Sequence, residues 1–221
     1  MTPNDRALRA DAERNRRRLL DTAEALFRER GLDVGVAEIA QRAGIGRGTL
    51  FRNFPTKQDL IAAIVIERMN EATEYGRSLL GAPDAGEAFF GYLEELVGRQ
   101  QVDRCLFESV ADTFLANQNI RAAHAEIIAG LEELLSRAKD AGAVRSDVGA
   151  MDVMMLVKGV CEAASALAAT EPGIVGRQLD LVRAAISPSG ADRPLRGRPP
   201  TLADVELAHS ATPAPTVKAA S

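Results

Sequence analysis

Residues 36–57 read VAEIAQRAGIGRGTLFRNFPTK. Val36, Ile39, Ala40 and Ala43 recur at helical spacing and give a short helix over 36–43 one apolar face. A second helix, over about 47–53, turns Leu50 inward. Ala43-Gly44-Ile45 supplies the turn between them. Phe54-Pro55 ends the second helix, because proline cannot continue it. Two short helices joined in this way make a helix-turn-helix, whose second helix does the reading. The outer face of that helix carries Gly46, Arg47, Gly48 and Thr49, then Arg52 and Asn53. Its glycines let backbone N–H groups approach phosphates, helped by the positive helix end. Arg47 can reach a guanine edge or a phosphate, and Thr49 a thymine methyl or a phosphate. Lys57 falls in the first turn of the next helix, where a cation opposes the helix dipole; a phosphate contact would explain it. The competing reading is a plain helical hairpin in a core, with Arg47 and Lys57 merely solvated. Glycine placement, the Phe-Pro break and the basic bias all speak against it.

Helices also dominate on either side. Over 11–30, Leu19, Ala23, Leu26 and Phe27 share one face, Arg14, Arg16, Arg17 and Arg18 crowd the early turns, and Gly31 follows as a stop. Thr56 and Asp59 form a T-x-x-D capping box for a fourth helix running to about Leu80, stopped by Gly81-Ala82-Pro83. Asp84, with Glu87 three residues on, opens a fifth helix to about Gln101. A sixth covers roughly 103–116 and a turn follows at 117–119. A seventh runs over about 120–141, and Asp147 can cap an eighth through Ala169. Pro172 stands where a ninth would begin, lasting to Ile186. No alternating strand segment of useful length is present. The fold class is therefore all-α, with about nine helices. It divides into a helix-turn-helix head over 11–57, a helical body over 58–186 and a Pro-rich tail over 187–221. Six prolines among small and polar residues predict disorder for that tail.

The chain has 221 residues, 46% of them hydrophobic but only 4% aromatic, so aliphatic side chains must carry the core. Its net charge of −4 hides a division. Residues 1–57 hold 12 basic and 8 acidic side chains, whereas 58–186 hold 11 and 20. A basic head on an acidic body confines phosphate attraction to one end. Cys105 and Cys161, far apart in apolar segments, predict buried inert thiols rather than a disulfide framework. Two histidines, His124 and His209, give no metal-ligand spacing, so no metal and no cofactor are expected. No nucleophile with a base, P-loop or dinucleotide turn is present, so an enzyme is not expected. No signal peptide or membrane span is read, which predicts a cytoplasmic protein with no membrane partner.

The stretch LLDTAEALFRERGLDVGVAEIAQRAGIGRGTLFRNFPTKQDL, residues 19–60, resembles the N-terminal domain of the TetR family of bacterial transcriptional repressors. The family has an aromatic, a Phe and a Lys at the places of Phe51, Phe54 and Lys57. The resemblance implies a homodimer that sets its third helix in the major groove of double-stranded DNA and reads a palindromic operator. It implies that Arg47, Gly48, Thr49, Phe51, Arg52, Asn53 and Lys57 lie at the DNA face; Arg17, Val36 and Gly46 complete the candidate set. The sequence departs from the family at three places. Phe51 replaces the usual Tyr and loses a hydroxyl-to-phosphate bond. Gly46 and Gly35 stand where Ser or Thr commonly cap the third and second helices, at a cost of a few tenths of a kcal/mol.

In the resembled family the body encloses a small-molecule effector. Phe89, Leu93, Leu106, Phe107, Val110, Phe114, Met154, Met155 and Cys161 are candidate pocket residues, since Met and Phe suit a pliable apolar site. Taken singly, each of them reads more readily as plain core; as a group, some of them should line a cavity. Gly159, Ala163 and Ala166, with Leu179, Val182 and Ile186, suit a four-helix dimer interface built from the last two helices of two chains. Packing within one subunit is the alternative. The expected function is a ligand-responsive repressor; a co-regulator or activator without an effector is the other reading. In the tail, Arg196-Gly197-Arg198-Pro199 matches the core of an AT-hook, which inserts extended arginines into a minor groove. An incidental solvated segment is the alternative there.

Overall fold

The computed structural model describes residues 3–111, 116–165, 167, 170–171, 173–188, 193–204 and 207, with side chains from residue 10 onward. Among the described residues every regular element is a helix and none is a strand. In order the helices are α1 (Pro3–Arg30), α2 (Val36–Arg42), α3 (Arg47–Asn53), α4 (Lys57–Leu79), α5 (Ala85–Val102), α6 (Arg104–Val110), α7 (Gln118–Asp140), α8 (Ala150–Ser165) and α9 (Ile174–Ile186). A short helical turn at 202–204 follows. The start of α1 is the largest revision to the expected boundaries: it lies at Pro3 rather than Asp11.

Two compact units divide the chain. The first takes Met1–Arg68 together with Asp103–Phe114. It therefore runs past Lys57 and recruits α6, which sequence spacing assigned to the body. Leu19, Ala23 and Leu26 of α1, Ile39 of α2, Leu50 of α3 and Leu60, Ile64 and Val65 of α4 are its buried aliphatics. Each Leu, Ile or Val among them contributes about 1.5–3 kcal/mol by leaving water. Gly31, at φ 74, ends α1 as its sequence predicts. Thr56 and Asp59 form the predicted capping box. The Asp59 carboxylate accepts from the Thr56 N–H at 2.9 Å, and the Asp59 N–H donates to Thr56 Oγ1 at 3.1 Å. Arg68 of α4 pairs with Glu24 of α1, and its Nε lies 3.6 Å from the buried Asp103 that precedes α6. Gln58 adds a second tie, donating to the Ser109 carbonyl at 2.6 Å. These bonds explain why α6 belongs to the head, and they link residues too distant in sequence for local patterns to show.

Gly35 caps α2 in extended geometry (φ −77, ψ 144) with no side-chain bond, and a Cβ there would meet nothing within 4 Å. Gly35→Ser creates an S-x-x-E box with Glu38 and removes glycine's freedom from the unfolded chain. The expected gain is about 0.5–1 kcal/mol. A thermal melt that shows no rise in the transition would count against this account of the cap.

The second unit takes Met69–Val102 and Leu115–Ser221. In it α5 packs on α7, α8 and α9, and α8 also packs on α7 and α9. Phe89, Tyr92, Leu93 and Val97 of α5, Ile120, Leu131, Leu134 and Leu135 of α7, and Val153 and Val157 of α8 form its core. Asn117 caps α7 rather than sitting in a free turn: its Oδ1 accepts from the Asn119 and Ile120 N–H groups. Arg137 of α7 reaches the end of α4, donating to the Leu79 carbonyl at 3.3 Å and the Ala82 carbonyl at 2.9 Å. Those are carbonyls that a helix end leaves without partners.

Asp147 does not cap α8. Asp152 does, accepting from the Gly149 N–H at 2.8 Å. Asp147 is drawn instead to the buried Arg145, whose Nε and Nη2 donate to its two oxygens at 2.5 and 2.9 Å. Arg145 also donates from Nη2 to the Arg193 carbonyl and from its N–H to the Ile186 carbonyl, and Leu195 N–H donates to Asp147. The expectation of a disordered tail therefore does not extend to 193–204. Its backbone supplies bonds that the corner between α7 and α8 uses. The RGRP stretch is not an extended arm either. Gly197 takes φ 74, and Arg198 is bound by both oxygens of Asp204.

The Arg145 guanidinium first, and the Leu195 N–H second, hold the Asp147 carboxyl well below the usual carboxylate range. A carboxyl lowered in the fold stabilises it above the unfolded pKa of about 4, and that contribution disappears as pH falls further. Amide-exchange protection at Leu195, corrected for intrinsic rates, is thus expected to be present at pH 6 and to decline below about pH 4. Unchanged protection at pH 3 would show that this carboxylate does not hold the segment.

Candidate nucleic-acid interface

The turn between α2 and α3 is held on both sides. Gly44 adopts φ 64, and a non-glycine residue would be strained there. The Ile45 N–H donates to the Ala40 carbonyl at 2.9 Å and Gly44 N–H to Gln41 at 3.1 Å, the paired bonds of a Schellman ending. Arg18 of α1 donates to the Ala43 carbonyl at 2.7 Å. Ile45 is buried beneath the turn. From Gly46, in extended geometry, α3 leaves with Leu50 inward, and the buried Phe54 follows it with Arg16 stacked 4.6 Å above the ring. Seven residues of helix are marginal alone, so these contacts fix the orientation of α3.

What faces outward is Arg47, Gly48, Phe51 and Arg52, with Thr49 and Asn53 half-buried. Phe51 is 45% exposed, a costly placement for a ring unless something covers it. Arg52 folds back along the helix, its Nε 3.2 Å from the Gly48 carbonyl and its Nη2 3.3 Å from Thr49 Oγ1. Asn53 Nδ2 donates to the Thr49 carbonyl at 2.8 Å. Among the described residues no carboxylate pairs with Arg47.

The remaining candidates separate. Val36 is half-buried at the start of α2. Arg17 pairs with Asp21 and Glu67. Lys57 has an internal partner: Nζ donates to the Leu32 carbonyl and lies 5.8 Å from the centre of the Phe27 ring. That bond explains a lysine in the first turn of α4 without a phosphate. Nothing in the local sequence signals it, because Leu32 lies in the loop after α1.

The body candidates scatter too. Phe89, Leu93 and Cys161 are buried in the second unit and Met154 is half-buried, whereas Leu106, Phe107 and Val110 belong to the first unit. Phe114 and Ala166 lie outside the described residues. Met155 is 60% exposed and faces away from the core. It joins Leu156, Gly159 and Ala163 on the outer side of α8, near in sequence to exposed Leu167. On α9, Leu181 is 55% exposed and Leu179 and Val182 are half-buried. Ile186 is buried, so it serves the core of its own unit rather than an outer face. Cys161 is buried, as predicted, and burial, with the nearby Glu162 charge adding to it, pushes its thiol up to about 11; Cys105 is exposed, against prediction. No helix of the described residues is long and apolar enough to cross a membrane.

Residues 19–64 match the family model described as bacterial regulatory proteins, tetR family, and residues 84–188 match the model described as the transcriptional regulator SbtR-like, C-terminal domain. A TetR transcription regulatory protein from Mycobacterium vanbaalenii has the same fold at 33% identity. The match covers 81% of this chain and 99% of that one, with a TM-score of 0.61. The chain belongs to the TetR family. TetR-family proteins are DNA-binding transcriptional regulators rather than enzymes. The TetR transcriptional regulator SCO0520 from Streptomyces coelicolor is 26% identical over 79% of this chain and 99% of its own, with a TM-score of 0.63. An HTH-type transcriptional regulator of Staphylococcus aureus (strain USA300) is 41% identical over 59 residues. That alignment spans 26% of this chain and 32% of the relative's length.

Proposed function

We propose that this TetR-family chain is a repressor. It binds a palindromic operator in double-stranded DNA as a homodimer and is released by a small-molecule effector, acting in the cytoplasm. The observation that carries the proposal is the outer face of α3. Arg47, Gly48, Thr49, Phe51, Arg52 and Asn53 stand on a helix whose approach is fixed by the turn at Gly44, and among the described residues no carboxylate neutralises Arg47. Gly46 and Gly48 keep the start of that helix bare, which favours close approach to phosphates. Arg17 and Lys57 are secondary candidates, because DNA would have to draw them from Glu67 and the Leu32 carbonyl. Dimerisation is supported by the exposed Met155 and Leu156 beside the small Gly159 and Ala163 of α8, and by the exposed Leu181 of α9, apolar side chains of the kind that interfaces cover. The effector reading rests on the family together with the apolar body.

Arg47→Ala tests the DNA reading. DNA from upstream of the chain's own gene, where such regulators commonly bind, serves as the operator source. Measured by fluorescence anisotropy, the loss is expected to be about 1–3 kcal/mol if Arg47 reads a guanine. If it contacts only phosphate, the loss is expected to be uniform across sequences, with a salt slope smaller by about one. Unchanged affinity and slope would remove α3 as the reading helix.

A further inference from the structure

We infer that the Tyr92 hydroxyl is a ligand donor, placed to bind an uncharged, mainly apolar small molecule through a carbonyl or ether oxygen. The inference rests on the effector-responsive reading above and gives it a chemical class. Tyr92, on α5, is 0% exposed, and its hydroxyl has no hydrogen-bond partner among the described residues. Buried phenols nearly always find one, since a donor stripped of water and left unpaired destabilises the fold that holds it. Burial, only partly offset by Arg99, pushes the phenol up to about 12, so the group remains a donor at physiological pH.

The surroundings narrow the ligand. α4 comes close to the ring at Gly76: a Cβ there would lie 3.0 Å from two ring carbons and 3.3 Å from the hydroxyl oxygen, so any larger residue would displace the phenol. One turn earlier on α4, the buried Thr73 hydroxyl donates to the Met69 carbonyl at 3.0 Å and is satisfied within its own helix. Tyr75 sets its ring 6.4 Å from that of Tyr92, tilted by 33°, and is partly exposed, so the ring beside the buried phenol reaches solvent. On α5, Ala88, Phe89 and Leu96 are the buried neighbours on the Tyr92 face. Arg99, two turns on, already donates to Glu95 at 2.7 Å and Glu71 at 3.1 Å. Two carboxylates around one guanidinium oppose an anionic ligand and leave Arg99 no unmet charge to offer. What fits is a neutral acceptor on an apolar frame.

The test uses the full-length chain and Tyr92→Phe, with acetophenone as probe and isopropylbenzene as its match in shape without the oxygen. Because the lost hydroxyl has no partner in the fold, the free variant is expected to melt at or above the wild-type temperature and to bind operator equally well. A clear drop in its melting temperature would mean that the hydroxyl is satisfied within the fold, which overturns the proposal. Acetophenone is expected to stabilise the wild type more than isopropylbenzene does, and to bind Tyr92→Phe about tenfold more weakly. Equal stabilisation by both compounds, no stabilisation by acetophenone, or equal affinity for both proteins would each overturn the assignment. Operator release is read separately. A compound that releases wild type and variant alike keeps the effector reading and sinks Tyr92 as its donor. An acetophenone shift that depends on Tyr92 but never changes operator affinity keeps the binding site and sinks the effector reading.

Discussion

Leu50→Ala is expected to weaken operator binding by at least about tenfold. Leu50 is buried on the inner side of α3, in the same unit as Ile39 of α2 and Phe54 just beyond. Truncating such a leucine costs about 2–5 kcal/mol, through lost transfer energy and the cavity left behind. Total stability of a domain is only about 5–15 kcal/mol. Helices α2 and α3 have seven residues each and draw their order from packing rather than propensity. The damage should therefore concentrate there, showing as lost amide-exchange protection over 36–53 and a fall in operator affinity of at least about tenfold. Leu50→Met, which preserves volume, should cost under about 1.5 kcal/mol and retain binding. If Leu50→Ala binds operator as tightly as wild type, α3 is not the element that must be held in place.

Leu181→Glu is expected to give a monomer. In the proposed two-fold interface each substitution acts twice, once from each side, and a glutamate placed among the apolar side chains there would lose water. Light scattering at micromolar concentration should show the mass halved. Because operator binding by linked heads gains from their effective concentration, affinity should fall by about 100-fold or more. Leu181 is exposed in the single chain, so the variant should keep its helical content. A dimer that survives both this change and Leu156→Glu would show that the outer side of α8 and α9 is not the seam.

The head was legible because its signals are local. Gly44, Phe54-Pro55 and the Thr56–Asp59 box each act within four residues, and each does in the structure what its chemistry predicts. Departures arise where a distant group recruits a residue that local rules assign elsewhere. Asp147 looks like a helix cap, but Arg145 and the Leu195 N–H claim it, and Asp152 takes the cap. Lys57 looks like a phosphate ligand, but a carbonyl from the loop after α1 accepts from it. The body was harder for another reason. Helix α8 carries apolar residues on its outer side as well as its inner one, and only the spacing of Asp152, Lys158 and Glu162 at i−3, i+3 and i+7 marks Met155 as outward while Val157 points in. Ile186 ends a helix with no other buried residue, and only the tertiary structure shows it turned inward. No sequence pattern reveals that the Tyr92 hydroxyl lacks a partner among the described residues.

The head is not one continuous piece of chain. Arg68 waits for Asp103, and Gln58 for the carbonyl of Ser109, and the whole of α5 is encoded between them. During synthesis the N-terminal helices leave the ribosome first, yet their last partners emerge only after α5 has been made. An early-terminated product ending near Arg68 would leave one face of α4 without α6 and Arg68 without Asp103. The DNA-reading module thus completes late, so that shortened translation products of this regulator are poor candidates to occupy its operator.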